Sequence, residues 1–270
     1  MTPTFPAPAW LVGCGNMAGA MVEGWRAAGV DFSGVTVIRP SGTPVEGVRT
    51  VIDYPTGETP RFVMLGFKPQ KLDEAAPGLL PYLGPETILV SMLAGVKAGI
   101  LRERFPDAGV VIRVMPNLPV AQRKGVAALY SNDLDPVARA VVGALMSVLG
   151  LAPWCDDEKQ FSAVGSVAGA GPAYVARFAE AMARGGEKLG LQSDVAEAVA
   201  VQTLVGTGAL AAATGESLAG IAKRVASPKG TTEQGLAVLD APDGLQPLVD
   251  RMLAAASRRA EELAAEARRD

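Results

Sequence analysis

Residues 13–18 are the first whose types and spacing could do chemistry. Gly13-Cys14-Gly15-Asn16-Met17-Ala18 follows a short apolar run and opens onto a helix-like stretch, forming a G-x-G-x-x-A turn. Gly13 permits a tight turn, Gly15 lets the backbone approach a pyrophosphate, and small Ala18 allows close helix–strand packing, with the phosphates at the helix N-terminus. Such a turn alone also suits an ordinary glycine-rich loop. Its place straight after the first strand of an alternating pattern points to a dinucleotide, with Gly13, Gly15, Asn16, Met17 and Ala18 as candidate contacts. The end of the second strand selects the cofactor, since an acidic residue there would bind the adenosine ribose of NAD. Instead, Val35-Thr36-Val37-Ile38 runs into Arg39-Pro40-Ser41-Gly42-Thr43. Arg39 and Ser41 lie where the extra phosphate of NADP would sit, so the expected cofactor is NADPH rather than NADH.

A second candidate lies far along the chain. Ser227-Pro228-Lys229-Gly230-Thr231-Thr232 precedes the helical run Glu233–Leu239. Ser227 reads as a helix N-cap with Pro228 at the first helical position. The free backbone N–H groups that follow form an anion site, or else a plain cap without a ligand.

What is missing narrows the chemistry further. The chain has no histidine, which excludes in cis a Ser-His-Asp triad, a histidine general base and the usual histidine-bearing zinc sites. Only two cysteines occur, Cys14 and Cys155, outside any C-x-x-C spacing. Neither a disulfide framework nor a metal site is suggested, and a reducing cytoplasm fits. A charge of −3, from 25 basic and 28 acidic residues, provides no footprint for nucleic acid or an anionic membrane. The expected partner is a small molecule, and what remains is chemistry that a cofactor carries while the protein orients groups.

The elements that position these residues fall into two sets. A length of 270 residues suits two domains. Up to about Cys155, β-rich runs alternate with helical ones: strands at Ala9–Val12, Val35–Ile38, Arg49–Ile52, Arg61–Gly66, Thr87–Ser91, Gly109–Met115, Gly125–Tyr130 and Leu151–Trp154, and helices at Met17–Ala28, Pro69–Leu80, Ala98–Arg104 and Pro136–Leu149. This is the pattern of a mostly parallel, Rossmann-type α/β sheet. After Asp156 the strand signal stops. The expected division is residues 1–156 for dinucleotide binding and 157–270 for an all-α domain.

Within the second domain, Tyr174, Val175, Phe178, Met182 and Leu189 recur at helical spacing and predict one buried face. Val195–Ala213 carries Glu197 as its only charge, which raises the question of a membrane span. Gln202, Thr203, Thr207, Gly206 and Gly208 dilute its hydrophobicity, and a protein interior or a subunit interface is the preferred reading, with no membrane partner. The segment Leu245–Arg268 reads as a solvated helix, and residues 1–9 as a frayed leader without a secretory signal.

At Phe67-Lys68-Pro69-Gln70 the sequence begins to resemble the pyrroline-5-carboxylate reductase family, whose equivalent strand ends in a V-K-P-Q type turn beside the nicotinamide. The likeness continues through Ser91-Met92-Leu93-Ala94-Gly95-Val96 and Arg113-Val114-Met115-Pro116-Asn117-Leu118-Pro119. In the helical half, Ala168-Gly169-Ala170-Gly171-Pro172-Ala173-Tyr174 is similar to the family's S-G-S-G-P-A-Y helix entry, and Ser227-Pro228-Lys229-Gly230-Thr231-Thr232 to its S-P-G-G-T-T loop. The resemblance spans roughly Trp10 to Leu239. Two departures stand out: Ala168 and Ala170 replace serines, and Lys229 replaces a glycine.

The resemblance implies NADPH-dependent reduction of the cyclic imine 1-pyrroline-5-carboxylate to L-proline, the last step of proline biosynthesis. It implies that Lys68, Pro69, Ala94, Gly95 and Asn117 line the nicotinamide side. Ser227, Lys229, Gly230, Thr231 and Thr232 would hold the substrate, with Thr232 against the imine nitrogen and Lys68 as the other catalytic candidate. A homodimer, or a larger assembly built from dimers, is expected, and no metal. The departures leave open a related cyclic imino-acid reductase of another ring size, and a non-catalytic NADP-binding dimer is the alternative from a different class.

Overall fold

The computed structural model describes residues 2–266 of the chain. These form two compact units, one running to Ala170 and taking in the described residues from Ser257 onward, the other Gly171–Ala256.

The first unit is built on an eight-stranded sheet in the order β3-β2-β1-β4-β5-β6-β7-β8. Its strands are β1 (Ala9–Val12), β2 (Val35–Ile38), β3 (Arg49–Val51), β4 (Phe62–Leu65), β5 (Ile88–Ser91), β6 (Val110–Pro116), β7 (Gly125–Tyr130) and β8 (Gly150–Leu151). All pairings are parallel except β6 with β7. β1, β2 and β4 are buried at every position, which explains why they read as continuous apolar runs rather than alternating ones. Alternate residues feed two cores. Leu11, Val37, Met64, Val90 and Ile112 pack on one face, and Trp10, Ile38, Val63, Leu65 and Leu89 on the other.

Four helices dress the sheet: α1 (Asn16–Ala27), α2 (Leu72–Leu79), α3 (Ala98–Arg104) and α4 (Pro136–Ser147). α1 and α4 belong to the first core, where the fully buried Trp25 donates its indole N–H to the Leu145 carbonyl at 2.7 Å. α2 and α3 belong to the second. α5 (Glu158–Val164) follows, capped by the Asp157 carboxylate, and runs into a π-helical turn, Gly165–Gly169. Sheet order reverses beside β1, so a crevice opens at the carboxyl ends of β1 and β4.

Three expectations need correction here. The expected frayed leader is corrected over the described residues 2–9, because Phe5 is buried and its ring meets those of Trp25 and Phe62 at 5.1 and 5.3 Å. The helix expected over residues 69–80 is broken into a 3₁₀ turn, Pro69–Lys71, followed by α2. The strand expected over 151–154 pairs with β7 only at Gly150–Leu151 and returns as a single bridge at Trp154, Pro153 having no N–H to continue the ladder.

The second unit is helical: α6 (Gly171–Lys188), α7 (Ser193–Thr214), α8 (Leu218–Val225), α9 (Thr231–Leu239) and the start of α10 (Leu245–Glu266), whose residues from Ser257 onward group with the first unit. A short turn joins α6 to α7, and small residues let the two approach, with Ala179, Ala196 and Ala200 buried. The face predicted to be buried along α6 and the turn after it is not covered among the described residues: Val175, Phe178, Met182 and Leu189 are 51%, 42%, 41% and 90% exposed. α7 shares the property, with Val195, Val199, Val201 and Val205 all at least 45% exposed. By length and composition it is the one helix among the described residues that could cross a membrane. In α10 the charged residues 258–262 are exposed and Arg259 pairs with Glu262 at 2.9 Å, as a solvated helix would; residues 267–270 of that segment lie outside the described residues.

Candidate cofactor and substrate sites

The turn after β1 closes on glycine geometry. Gly13 has φ +83° and donates its N–H to the Ile38 carbonyl at 2.8 Å. A Cβ on Gly13 would stand 3.0 Å from the backbone of Gly66 and Phe67, and one on Gly66 would stand 2.6 Å from the Gly13 carbonyl oxygen and 3.1 Å from the Ala18 Cβ. Gly13, Gly66 and Ala18 thus bring the turn, the end of β4 and the start of α1 into van der Waals contact. Gly66 is part of this construction although its sequence position marks only the end of a strand.

Gly15 is the N-cap of α1, exposed, with no side chain capping the helix. A Cβ there would meet nothing within 4 Å. Uncapped first-turn N–H groups, the positive end of the helix dipole and open space beside Gly15 are what a pyrophosphate requires. Asn16 and Met17 begin the helix beside it. Burial pushes the Cys14 thiol pKa up, opposed by the positive charge of Arg39.

Arg39 leaves the end of β2, its backbone N–H on the Val51 carbonyl at 3.0 Å. Its guanidinium donates to the Thr43 carbonyl at 3.2 Å, while Ser41 Oγ accepts from the Thr43 N–H and hydroxyl at 3.4 and 3.1 Å. The loop therefore holds one cation and two hydroxyls beside the turn, and residues 39–43 include no carboxylate.

Lys68–Pro69 follows β4, Ala94–Gly95 follows β5 and Asn117 follows β6; these three strands are neighbours and parallel, so the motifs share one edge of the sheet. Lys68 is exposed, and its ammonium has no partner among the described residues. Ala94 is exposed and Gly95 turns the chain at φ +78°.

Asn117 is bonded on both sides of its amide. It is 6% exposed, its amide donates to the Ala168 carbonyl at 2.9 Å and its oxygen accepts the Val126 N–H at 2.8 Å. The side chain ties the π-helical turn to the end of β6 through one of its two N–H groups and its oxygen. A π turn follows an i→i+5 pattern, and Asn117 supplies a side-chain donor to one of its carbonyls, that of Ala168.

In the second unit the substrate loop also differs from the expected cap. The helix begins at Thr231, with Gly230 as N-cap; Ser227 and Pro228 lie in the turn before it, where the Gly230 N–H donates to the Ser227 carbonyl at 2.9 Å. A turn of this kind needs one residue in left-handed backbone, and Lys229 supplies it at φ +58°. Its N–H donates to the Glu233 carboxylate at 2.7 Å. Thr231 is exposed and Thr232 half-buried, the latter lining a groove of about 520 Å³ with Phe178, Met182, Leu236 and Leu239. The Thr232 hydroxyl has no hydrogen-bond partner among the described residues.

Comparison with known proteins agrees with this construction. Residues 158–263 match the family model for pyrroline-5-carboxylate reductase dimerisation. The chain is 35% identical to the pyrroline-5-carboxylate reductase of Pseudomonas aeruginosa over 262 residues, covering 94% of this chain and 96% of that one. Among solved structures, the pyrroline-5-carboxylate reductase of Coxiella burnetii superposes with a TM-score of 0.88 at 30% identity, covering 95% of this chain and 98% of that one. The Plasmodium falciparum pyrroline carboxylate reductase, solved with NADP bound, shares the fold at a TM-score of 0.83 and 21% identity over 97% of this chain and 99% of that one. With a relative 35% identical matched almost end to end and the dimerisation model matched over residues 158–263, the chain belongs to the pyrroline-5-carboxylate reductase family.

Proposed function

We propose that the chain reduces 1-pyrroline-5-carboxylate to L-proline, taking the hydride from NADPH. The observation that carries the reading is the alignment, along one sheet edge, of an uncapped helix N-terminus at Gly15 with the Lys68–Pro69 and Ala94–Gly95 turns. Relatives named for this reaction support it. When bound, the nicotinamide supplies a hydride to the C=N carbon, so the protein needs no metal or nucleophile of its own. Gly13, Gly15, Asn16, Met17 and Ala18 seat the pyrophosphate. Arg39 and Ser41 select NADPH by offering donors to a 2′-phosphate, with no carboxylate to bind a free ribose hydroxyl.

Lys68, Pro69, Ala94 and Gly95 orient the nicotinamide, and Asn117 supports that end through Ala168. The free first-turn N–H groups of Thr231 and Thr232, positioned by the Gly230 N-cap and joined by the Lys229 ammonium, hold the substrate carboxylate. The unpartnered Thr232 hydroxyl faces the imine nitrogen, and a correctly held imine accounts for much of the rate. Residues 1–156 form the dinucleotide half and 157–270 the substrate and dimerisation half, a division supported by the dimerisation model starting at residue 158, although residues 157–170 pack with the first unit. The exposed apolar faces of α6 and α7 are covered by a second copy of the chain, and the two free, buried cysteines suit a reducing cytoplasm.

Lys229 favours a second reading, because a side chain in the substrate turn could select an imine of another ring size. Purified protein assayed for NADPH and NADH oxidation with five- and six-membered cyclic imino acids separates the readings. Turnover fastest with 1-pyrroline-5-carboxylate and NADPH is the expected result. Preference for the six-membered ring would establish the second reading, and tight NADPH binding without turnover on any imine would leave a cofactor-binding dimer.

A further inference from the structure

Glu158 joins three groups that are distant in sequence. Its Oε1 accepts the Ala98 backbone N–H at 2.8 Å and a guanidinium N–H of Arg113 at 3.3 Å, while Oε2 lies 3.7 Å from the Lys97 ammonium. Ala98 is the first residue of α3, whose N-cap, Lys97, makes no side-chain cap. The helix is therefore capped from 60 residues away.

The loop that this cap terminates, residues 92–97, is anchored by the buried Leu93 and Val96, while Ala94 and Gly95 between them stand outside the core. Its internal bonds are long: Leu93 N–H to Ser91 Oγ at 3.3 Å and Val96 N–H to the Leu93 carbonyl at 3.4 Å. Arg113, the other partner, sits on β6 with a side chain only 8% exposed and its guanidinium 4.3 Å from the Phe161 ring centre. Burial disfavours its charge and the Glu158 carboxylate opposes that effect. A buried cation with a single anionic partner is held in one place. Glu158 thereby couples the loop after β5 to β6, which ends in Met115 and Pro116 before Asn117; the two strand ends are neighbours on the β4 side of the crevice.

We propose that Glu158 is a positioning residue for hydride transfer, setting the Ala94–Gly95 backbone against the nicotinamide through Ala98 and Arg113. This rests on the functional reading above. It touches neither cofactor nor substrate, and the pyrophosphate and adenosine ends of the cofactor are held elsewhere, at residues 13–18 and 39–41. Its loss therefore affects turnover more than affinity, since a misplacement of about 1 Å at a reacting centre can cost about a hundredfold.

The test compares Glu158→Ala and Glu158→Gln with the unaltered protein, all well below their melting temperatures. In Glu158→Ala, kcat should fall by about tenfold or more, with the NADPH dissociation constant, read by fluorescence, within about threefold. Independently of activity, hydrogen exchange in the cofactor-free protein should accelerate at residues 94–98 and not at residues 13–18. Glu158→Gln keeps an acceptor for the Ala98 N–H, so it should restore exchange protection and part of kcat; it also carries the test if the alanine variant does not fold. Unchanged kcat in both variants overturns the proposal, as does accelerated exchange spread evenly over both segments, which marks a merely structural residue. An unaltered protein that oxidises no NADPH with any imine would overturn the functional reading and with it the link to hydride transfer, while the exchange data would still decide whether Glu158 holds the loop.

Discussion

The Lys229 N–H donates to the Glu233 carboxylate at 2.7 Å while Lys229 itself sits at φ +58°. A lysine therefore occupies a backbone state that glycine reaches without cost, and the third residue of α9 closes the turn that precedes it. Lys229→Gly relieves strain of about 1–2 kcal/mol but adds unfolded-state entropy of roughly 0.5–1 kcal/mol. Stability should change little, whereas the KM for the imino acid should shift and that for NADPH should not. Denaturant melts with steady-state kinetics check both; a shifted NADPH KM would remove Lys229 from the substrate site.

Thr232 makes the sharpest chemical claim. If its free hydroxyl orients the imine nitrogen, Thr232→Ala should lower kcat/KM by about ten- to a hundredfold, the range of a donor aimed at developing charge. NADPH affinity should hold. Near-normal activity in Thr232→Ala would exclude the hydroxyl from the reaction.

Cofactor choice is tested at Arg39. Loss of a charge-assisted hydrogen bond costs about 1.5–3 kcal/mol, so Arg39→Ala should raise the KM for NADPH about tenfold or more and that for NADH far less. Equal effects on the two cofactors would contradict the assignment.

Two glycines of the nucleotide turn should behave oppositely. Gly66→Ala sets a Cβ 2.6 Å from the Gly13 carbonyl and should destabilise the fold by about 1–3 kcal/mol, as overpacking does. Gly15→Ala meets no protein atom, so stability should be kept while NADPH binding weakens, because the new methyl lies where the phosphates approach. Urea unfolding beside a binding titration distinguishes them, and intact NADPH affinity in Gly15→Ala would refute the placement of the pyrophosphate.

The exposed faces of α6 and α7 predict the assembly. Light scattering at micromolar concentration should show at least twice the 27.8 kDa chain, and Val199→Glu, placing a charge on a face 53% exposed in the single chain, should shift it towards monomer without unfolding it. A monomer before substitution, or recovery with membranes, would overturn the dimer.

Much of the protein was legible in its sequence because the signals are local. The glycine turn at residues 13–18, the apolar runs of β1, β2 and β4, and the Arg39 loop each follow from residue types within a few positions, where φ freedom, burial and charge act directly. The order of motifs at successive strand ends then implied the crevice. What only the tertiary structure decided depends on partners far apart in sequence. Gly66 matters through Gly13 and Ala18, Asn117 spends its amide on Ala168 and Val126, and Glu158 reaches Ala98 and Arg113. Ser227 looked like a helix cap, yet Lys229 could enter left-handed backbone and shift the helix start to Thr231. The α6 stripe of Val175, Phe178 and Met182 was read correctly as apolar, but periodicity reports only that a face avoids water. Whether its cover comes from the same chain or from another copy is settled by the packing of helices, on which the spacing of residues along one helix carries no information.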